Sequence, residues 1–90
     1  MDLTALRAQI DRIDSELVRL FSERMQTAEK IAEYKSKNGL PIGDPAREEE
    51  KLEAVSAAVP AEYARSVKQL YSRIFELSRD RQQAVSDAEG

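Results

Sequence analysis

Apolar residues recur near the start of the chain at the spacing of one face of an α-helix. The steps alternate between three and four positions, through Leu3, Leu6, Ile10, Ile13, Leu17 and Leu20. This stripe is typical of a long helix that buries one face against another helix. Because residues 3–37 contain neither glycine nor proline, we predict one uninterrupted helix over that range.

Two cations interrupt this apolar stripe. The stripe position after Leu20 is occupied by Arg24, and apolar residues return at Ile31 and Tyr34. Lys35 follows Arg24 by eleven residues, which places it about three turns further on and within about 20° of the same face. An unpaired buried charge is strongly disfavoured. We therefore expect an anionic group to meet these cations, and a ligand could supply it.

Turn-forming residues divide the rest of the chain into two further helices. Asn38-Gly39 is a helix stop signal, Asp44-Pro45 is a start signal with Asp44 as N-cap, and Val59-Pro60 ends the second helix. The predicted helices are one long, one short and one medium, at about residues 3–37, 44–57 and 60–85. We expect a single all-α domain over residues 1–90, with a frayed tail at 86–90.

The apolar stripe of the third helix becomes polar near its C-terminal end. The residues predicted to be buried are Tyr63, Val67, Leu70, Ile74 and Leu77. A line at i, i+4 and i+8 leads from Ile74 through Ser78 to Gln82, so polar side chains could enter a pocket between the helices. Such a pocket offers hydrogen-bond donors but no nucleophile, which suits a reaction that needs electrostatic stabilisation and conformational restraint.

The first helix is too long for a lone globule of ninety residues. Thirty-five residues span about 50 Å, whereas a compact domain of this size has a radius of gyration of about 12 Å. Much of the apolar stripe can be buried only against a second chain. We therefore predict an intertwined helical homodimer, with the long helices exchanged or side by side.

Composition excludes several classes of function. The chain has no cysteine and no histidine, so disulfides, thiol chemistry, the Ser/His/Asp arrangement and the usual zinc ligand are excluded, and we expect no metal. A net charge of −3 and a pI near 5.0 argue against nucleic acid as a partner. No apolar run approaches transmembrane length and no signal peptide is apparent, so we expect a cytoplasmic protein without a membrane partner.

The spaced polar residues resemble those of the all-helical class of chorismate mutases over about residues 3–85. The residues that carry the resemblance are Leu6-Arg7, Asp11, Ile13-Asp14, Glu23-Arg24, Lys35, Gly39-Leu40-Pro41-Ile42, Asp44-Pro45-Ala46-Arg47-Glu48, Ser78 and Gln82. The stretch from Lys35 to Glu48 is the most specific part. The chain departs from the family pattern at Arg79, where an apolar wall residue is expected, at Phe75, which is bulkier than an aliphatic residue, and at Gly43.

The resemblance implies the rearrangement of chorismate to prephenate, a pericyclic step of phenylalanine and tyrosine biosynthesis that uses no cofactor. It implies that Arg24 and Lys35 bind the carboxylate of the enolpyruvyl side chain. Lys35 and Gln82 would donate hydrogen bonds to the ether oxygen, where negative charge builds as the C–O bond breaks. Arg7 would reach the ring carboxylate, helped by Ser78.

The same resemblance assigns roles to residues around the ring. Glu48, together with the backbone near Asp44, would accept a hydrogen bond from the ring hydroxyl. Arg47 would support the anion-binding field, and Ile31 and Phe75 would form apolar walls that hold the folded conformer.

Helix geometry indicates that Arg7 acts across the dimer interface. Arg7 lies seventeen residues before Arg24, about 25 Å along a straight helix, which is beyond the reach of an arginine. An antiparallel partner helix could bring its own Arg7 beside Arg24 of this chain.

Three alternatives remain open at this point. The chain could be a non-catalytic helical dimerisation or regulatory module of an aromatic-pathway enzyme, in which the stripe cations pair with carboxylates of the partner. It could be a related lyase that removes pyruvate from isochorismate, although Glu48 favours the mutase because it offers an acceptor for the ring hydroxyl. It could also be one half of a bifunctional enzyme.

Overall fold

The structure, a computed structural model, describes residues 2–89, and these residues form three α-helices. Helix α1 spans Leu3–Lys37, α2 spans Pro45–Ala57 and α3 spans Ala61–Glu89. No residue from 2 to 89 is in a β-strand, which confirms the all-α expectation. Within the described residues, no helix is both long enough and apolar enough to cross a membrane.

The C-terminal end of α3 differs from the prediction. The frayed tail expected from residue 86 onward is wrong for residues 86–89, which continue the helix to Glu89; Gly90 lies outside the described residues. No glycine or proline interrupts this stretch, so nothing in the local sequence stops the helix. The side chains of Gln83 and Asp87, one turn apart, also share a hydrogen bond of 2.8 Å.

The end of α1 is a Schellman motif that reverses the chain towards α2. Gly39 has a φ of 65°, a left-handed conformation that costs glycine least. The amide of Leu40 donates to the carbonyl of Lys35 at 2.8 Å, and the amide of Gly39 donates to the carbonyl of Ser36 at 3.4 Å. The predicted stop at Asn38-Gly39 is thereby confirmed.

The start of α2 follows the predicted pattern. Asp44 is the N-cap, and its carboxylate accepts a hydrogen bond of 3.1 Å from the amide of Arg47. Pro45 occupies the first helical position, where its missing N–H costs nothing. This cap sets the residue at which α2 begins after the loop that follows α1.

Helix α3 packs against both other helices, whereas α1 and α2 do not pack on each other. Among the described residues, the buried apolar side chains are Met25, Ala28, Ala32 and Phe75. The predicted buried stripe of α3 is wrong for Tyr63 and Leu70, which are exposed in a single chain. The other three members, Val67, Ile74 and Leu77, are half-buried. The face of α3 that meets α1 carries Phe75 and Ser78, about a quarter turn around the helix from that stripe.

The N-terminal half of α1 is exposed along its whole length in the described part of the chain. The predicted apolar stripe from Leu3 to Leu20 is exposed, with Leu17 at 56% of its possible surface. The chain measures 55 × 25 × 14 Å, and its radius of gyration is 16.4 Å, against about 12 Å for a compact chain of this length. A single chain therefore leaves its longest apolar surface uncovered.

Candidate active site

One cavity of about 400 Å³ lies between the three helices, a size that suits a small molecule. Nine of the ten predicted site residues line this cavity. They come from all three helices and the loop before α2: Arg24, Ile31, Lys35, Asp44, Arg47, Glu48, Phe75, Ser78 and Gln82.

Arg24 is half-buried, and residues of α3 hold its guanidinium group. Its Nη1 donates a hydrogen bond of 2.9 Å to the hydroxyl oxygen of Ser78. Its guanidinium carbon lies 5.9 Å from the ring centre of Tyr71 and 5.6 Å from that of Phe75, within the range of cation–π attraction. These partners orient the arginine without neutralising its charge.

Helix α1 forms one wall of the cavity, and Lys35 lies on this wall about three turns after Arg24, in the last turn of the helix. The Schellman motif uses the carbonyl of Lys35 as an acceptor, so the backbone that carries this lysine is well anchored. Its side chain is half-buried and lines the cavity. Within residues 2–89, no carboxylate lies within 4 Å of the charged nitrogens of Lys35 or of Arg24.

The start of α2 forms the second wall. The carboxylate of Asp44 is engaged by its capping bond, and Arg47 is exposed with its guanidinium 3.8 Å from Glu50. Glu48 is half-buried, and both of its carboxylate oxygens lie 2.6 Å from Nη1 of Arg79. Both carboxylates line the cavity, and Glu48 is the more buried of the two.

Helix α3 contributes the third wall. Ser78 is buried and its hydroxyl contacts the sulfur of Met25 at 3.9 Å, besides accepting from Arg24. Gln82 donates one amide N–H to the carbonyl of Ala28 at 3.1 Å. A side-chain amide has two N–H groups, so this bond anchors Gln82 and leaves a second donor for a ligand.

Arg79 occupies a position where the family pattern has an apolar wall residue. It lines the cavity as a cation that pairs with Glu48. The two residues are thirty-one positions apart, so no local spacing signals the pair.

Lys51 and Tyr71 also line the cavity and were missed by sequence reasoning. Their signal was present, because Lys51 lies one turn beyond Arg47 and Tyr71 lies one turn before Phe75.

The cavity carries an excess of three positive charges. Its cations are Arg24, Lys35, Arg47, Lys51 and Arg79, and its carboxylates are Asp44 and Glu48. No cluster of carboxylates in the described part of the chain could hold a metal ion. An arrangement of this kind can bind a small anion with more than one negative charge and stabilise charge that develops within it.

Arg7 is the one predicted site residue that the structure leaves elsewhere. It is exposed on α1 and does not line the cavity. The seventeen residues that separate it from Arg24 correspond to about 25 Å of helix. A single chain therefore does not bring Arg7 to this site.

Comparison with known proteins points to one family. The sequence model of the family described as chorismate mutase type II matches residues 6–83. A solved structure, of chorismate mutase (form II) from Thermus thermophilus, superimposes with a TM-score of 0.85 at 35% identity. That match covers 90% of this chain and 93% of the other.

Two curated proteins are similar over parts of the chain. The bifunctional chorismate mutase/prephenate dehydratase of Aquifex aeolicus is 50% identical over 54 residues, which cover 60% of this chain and 15% of that protein. The chorismate mutase of Methanocaldococcus jannaschii is 44% identical over 46 residues, which cover 51% of this chain and 46% of that protein. The chain thus matches less than half the length of these curated relatives.

Proposed function

The chain belongs to the chorismate mutase type II family, and from this premise we propose that it converts chorismate to prephenate in aromatic amino-acid biosynthesis. The observation that carries the proposal is the pair of cavity cations, Arg24 and Lys35, that face no carboxylate within the described residues. Chorismate is a dicarboxylate, so it supplies the anionic groups that these side chains lack.

The reaction needs no nucleophile and no proton shuttle. One C–O bond of the substrate breaks while a C–C bond forms within the same molecule, and no proton or leaving group departs. The pocket therefore has two tasks, to hold the folded conformer and to stabilise negative charge on the ether oxygen. In the proposed arrangement Arg24 and Lys35 bind the enolpyruvyl carboxylate, and Lys35 and Gln82 donate to the ether oxygen.

The other end of the substrate lies against α2 in this proposal. Glu48 accepts the hydrogen bond of the ring hydroxyl, and Asp44 contributes through the capped backbone at the start of the helix. Arg47 adds to the positive field from the rim of the cavity. Ile31 and Phe75 supply apolar surface against the ring.

A homodimer is part of the proposal, with each domain of residues 1–90 paired with a second copy. An apolar groove beside the cavity is lined by Leu17, Phe21, Leu70 and Ile74, and Arg24 borders both spaces. A partner helix in this groove would cover exposed apolar side chains and pass next to Arg24. Arg7 of that partner could then reach the ring carboxylate, with Ser78 nearby.

Sedimentation analysis tests the assembly. The parent protein should sediment as a dimer, and Leu17→Glu, which places a charge in the groove, should sediment as a monomer with little activity. We also propose that the protein works in the cytoplasm.

The decisive experiment for the function is the loss of chorismate absorbance on addition of the purified protein, with the product identified. Prephenate would support the mutase. Release of pyruvate with an aromatic acid from isochorismate would identify the lyase instead. No turnover of either compound, with no effect of chorismate on the melting temperature, would identify a dimerisation module.

A further inference from the structure

An ion pair between α3 and α2 borders the cavity at its Glu48 side. A single nitrogen of Arg79, Nη1, lies 2.6 Å from both carboxylate oxygens of Glu48. Other helix-to-helix ion pairs of the described residues, Lys68 with Glu53 and Arg81 with Glu29, involve no residue that lines the cavity. The Arg79–Glu48 ion pair is therefore part of the site.

The geometry of this contact holds the carboxylate in place and leaves part of its hydrogen-bonding capacity unused. A nitrogen equally distant from both oxygens lies in the plane that bisects the carboxylate between them, so it attracts both oxygens alike and holds the end of the glutamate side chain beside Arg79. Each carboxylate oxygen has two acceptor directions, and the arginine uses one on each. One acceptor direction on each oxygen of Glu48 stays open for a hydroxyl donor.

Without Arg79, the carboxylate would have other partners to choose from. Lys51 lies one turn further along the same face of α2, and Arg47 is the preceding residue. Glu48 is 27% exposed and Arg79 is 42% exposed, so water is also within reach. A glutamate side chain with this freedom would spend less time in the orientation that faces the cavity.

We propose that Arg79 is a positioning residue that holds Glu48 as the acceptor for the ring hydroxyl and so raises the affinity for a hydroxylated substrate. This inference rests on the proposed function. The hydroxyl does not take part in bond breaking, so its hydrogen bond contributes equally to the bound substrate and to the transition state. Loss of such an interaction raises KM and leaves kcat nearly unchanged.

A double-mutant cycle on chorismate turnover tests this role. Arg79→Ala should raise KM by about tenfold with kcat within about twofold of the parent. In a Glu48→Ala background the same substitution should change KM by less than about twofold, because the group it positions is gone. Arg79→Lys should retain most of the affinity, since one nitrogen makes both contacts and an ammonium group can replace it.

Arg81→Ala is the matched control. Arg81 lies two residues further along α3 and pairs with Glu29 of α1 at 3.3 Å, but it does not line the cavity. KM of this variant should stay within about twofold of the parent value. If Arg79→Ala fails to fold, Arg79→Gln keeps most of the side chain, removes the charge and takes its place in the cycle.

Three results would overturn the inference while the parent protein remains active. The first is an unchanged KM in Arg79→Ala, with or without a lower melting temperature, which would mean that the ion pair only holds α3 against α2. The second is that Arg79→Ala raises KM equally in the Glu48→Ala background, which would mean that Arg79 contacts the substrate itself. The loss could also appear in kcat rather than KM. A parent protein that does not turn over chorismate would instead refute the proposed function, and this inference with it.

Discussion

Replacing Arg24 with alanine should separate the function of this residue from its structural contribution. Arg24 occupies a stripe position where leucine is expected, and its guanidinium contacts Ser78, Tyr71 and Phe75 rather than a carboxylate. The charge is therefore held in place but not neutralised by the described residues. We expect Arg24→Ala to lose most of its activity while remaining folded.

The expected loss of activity follows from the bonds that the guanidinium would make to the substrate carboxylate. A hydrogen bond to a charged group contributes about 1.5–3 kcal/mol. Two such bonds, with part of their strength realised only in the transition state, correspond to about 3–6 kcal/mol in kcat/KM. The rate should therefore fall by about a hundredfold to ten-thousandfold.

The expected change in stability is much smaller because opposing effects partly cancel. Truncation removes the hydrogen bond to Ser78, worth about 0.5–1.5 kcal/mol, and cation–π contacts worth about 0.5–1 kcal/mol each. It also removes the cost of partly burying an unpaired cation. Ser78 keeps its contact with the sulfur of Met25. We expect the free energy of unfolding to change by less than about 2 kcal/mol.

The assay compares urea unfolding of the ligand-free proteins, at one protein concentration, with chorismate turnover well below the melting temperature. Arg19→Ala is the matched control, because Arg19 is an exposed arginine of the same helix that pairs with Glu16 and Glu23. It should leave activity and stability close to the parent values. A loss of stability above about 3 kcal/mol in Arg24→Ala, with activity restored where the variant is fully folded, would refute the reasoning.

Three further predictions test other parts of the site. Activity of Gln82→Glu should rise as the pH falls towards the ordinary pKa of a glutamate, about 4.3, because only the protonated acid can donate to the ether oxygen. The activity of the parent protein should not change over the same pH range. If the activity of the variant is equally independent of pH, Gln82 does not belong to the site. Arg7→Ala and Arg24→Ala should each be nearly inactive, yet refolding them together should restore about a quarter of the parental activity. Random pairing makes half of the dimers mixed, and one of the two sites in each mixed dimer is intact. If heterodimers are confirmed by mass but no activity returns, the two chains do not share a site. Asp44→Ala should lower stability by about 1 kcal/mol in thermal unfolding, whereas Asp44→Asn keeps a capping oxygen and should lose less; equal losses would show that the cap is not the cause.

The helices could be predicted from sequence because their signals are local. Asp44-Pro45 and Asn38-Gly39 act through bonds to neighbours a few residues away, and the structure forms these bonds. The frayed tail predicted from residue 86 is wrong for residues 86–89, because no glycine or proline stops α3 there. Polar residues extend α3 when nothing stops it, as the bond between Gln83 and Asp87 illustrates.

The composition of the cavity could be predicted only in part. Arg24, Lys35 and Gln82 stand out because they interrupt or extend apolar patterns, and the structure brings them to one cavity. The Arg79–Glu48 pair joins two helices through side chains whose meeting depends on how α2 packs on α3. Periodicity along one helix carries no information about that packing angle, so the sequence could mark Arg79 only as a departure from a pattern.

Under the proposed dimer, stability and completion of the site have a common origin. The described residues of a single chain include few buried apolar side chains, among them Ala28, Ala32 and Phe75. Ala28 and Phe75 also line the cavity. Burying a leucine or isoleucine contributes about 1.5–3 kcal/mol, and the exposed stripe from Leu3 to Leu20 holds six of them. That contribution is comparable with the whole stability of a small domain, about 5–15 kcal/mol. Dimerisation would supply this stabilisation and would also bring Arg7 of the partner to the cavity. A folded dimer would therefore have a complete site.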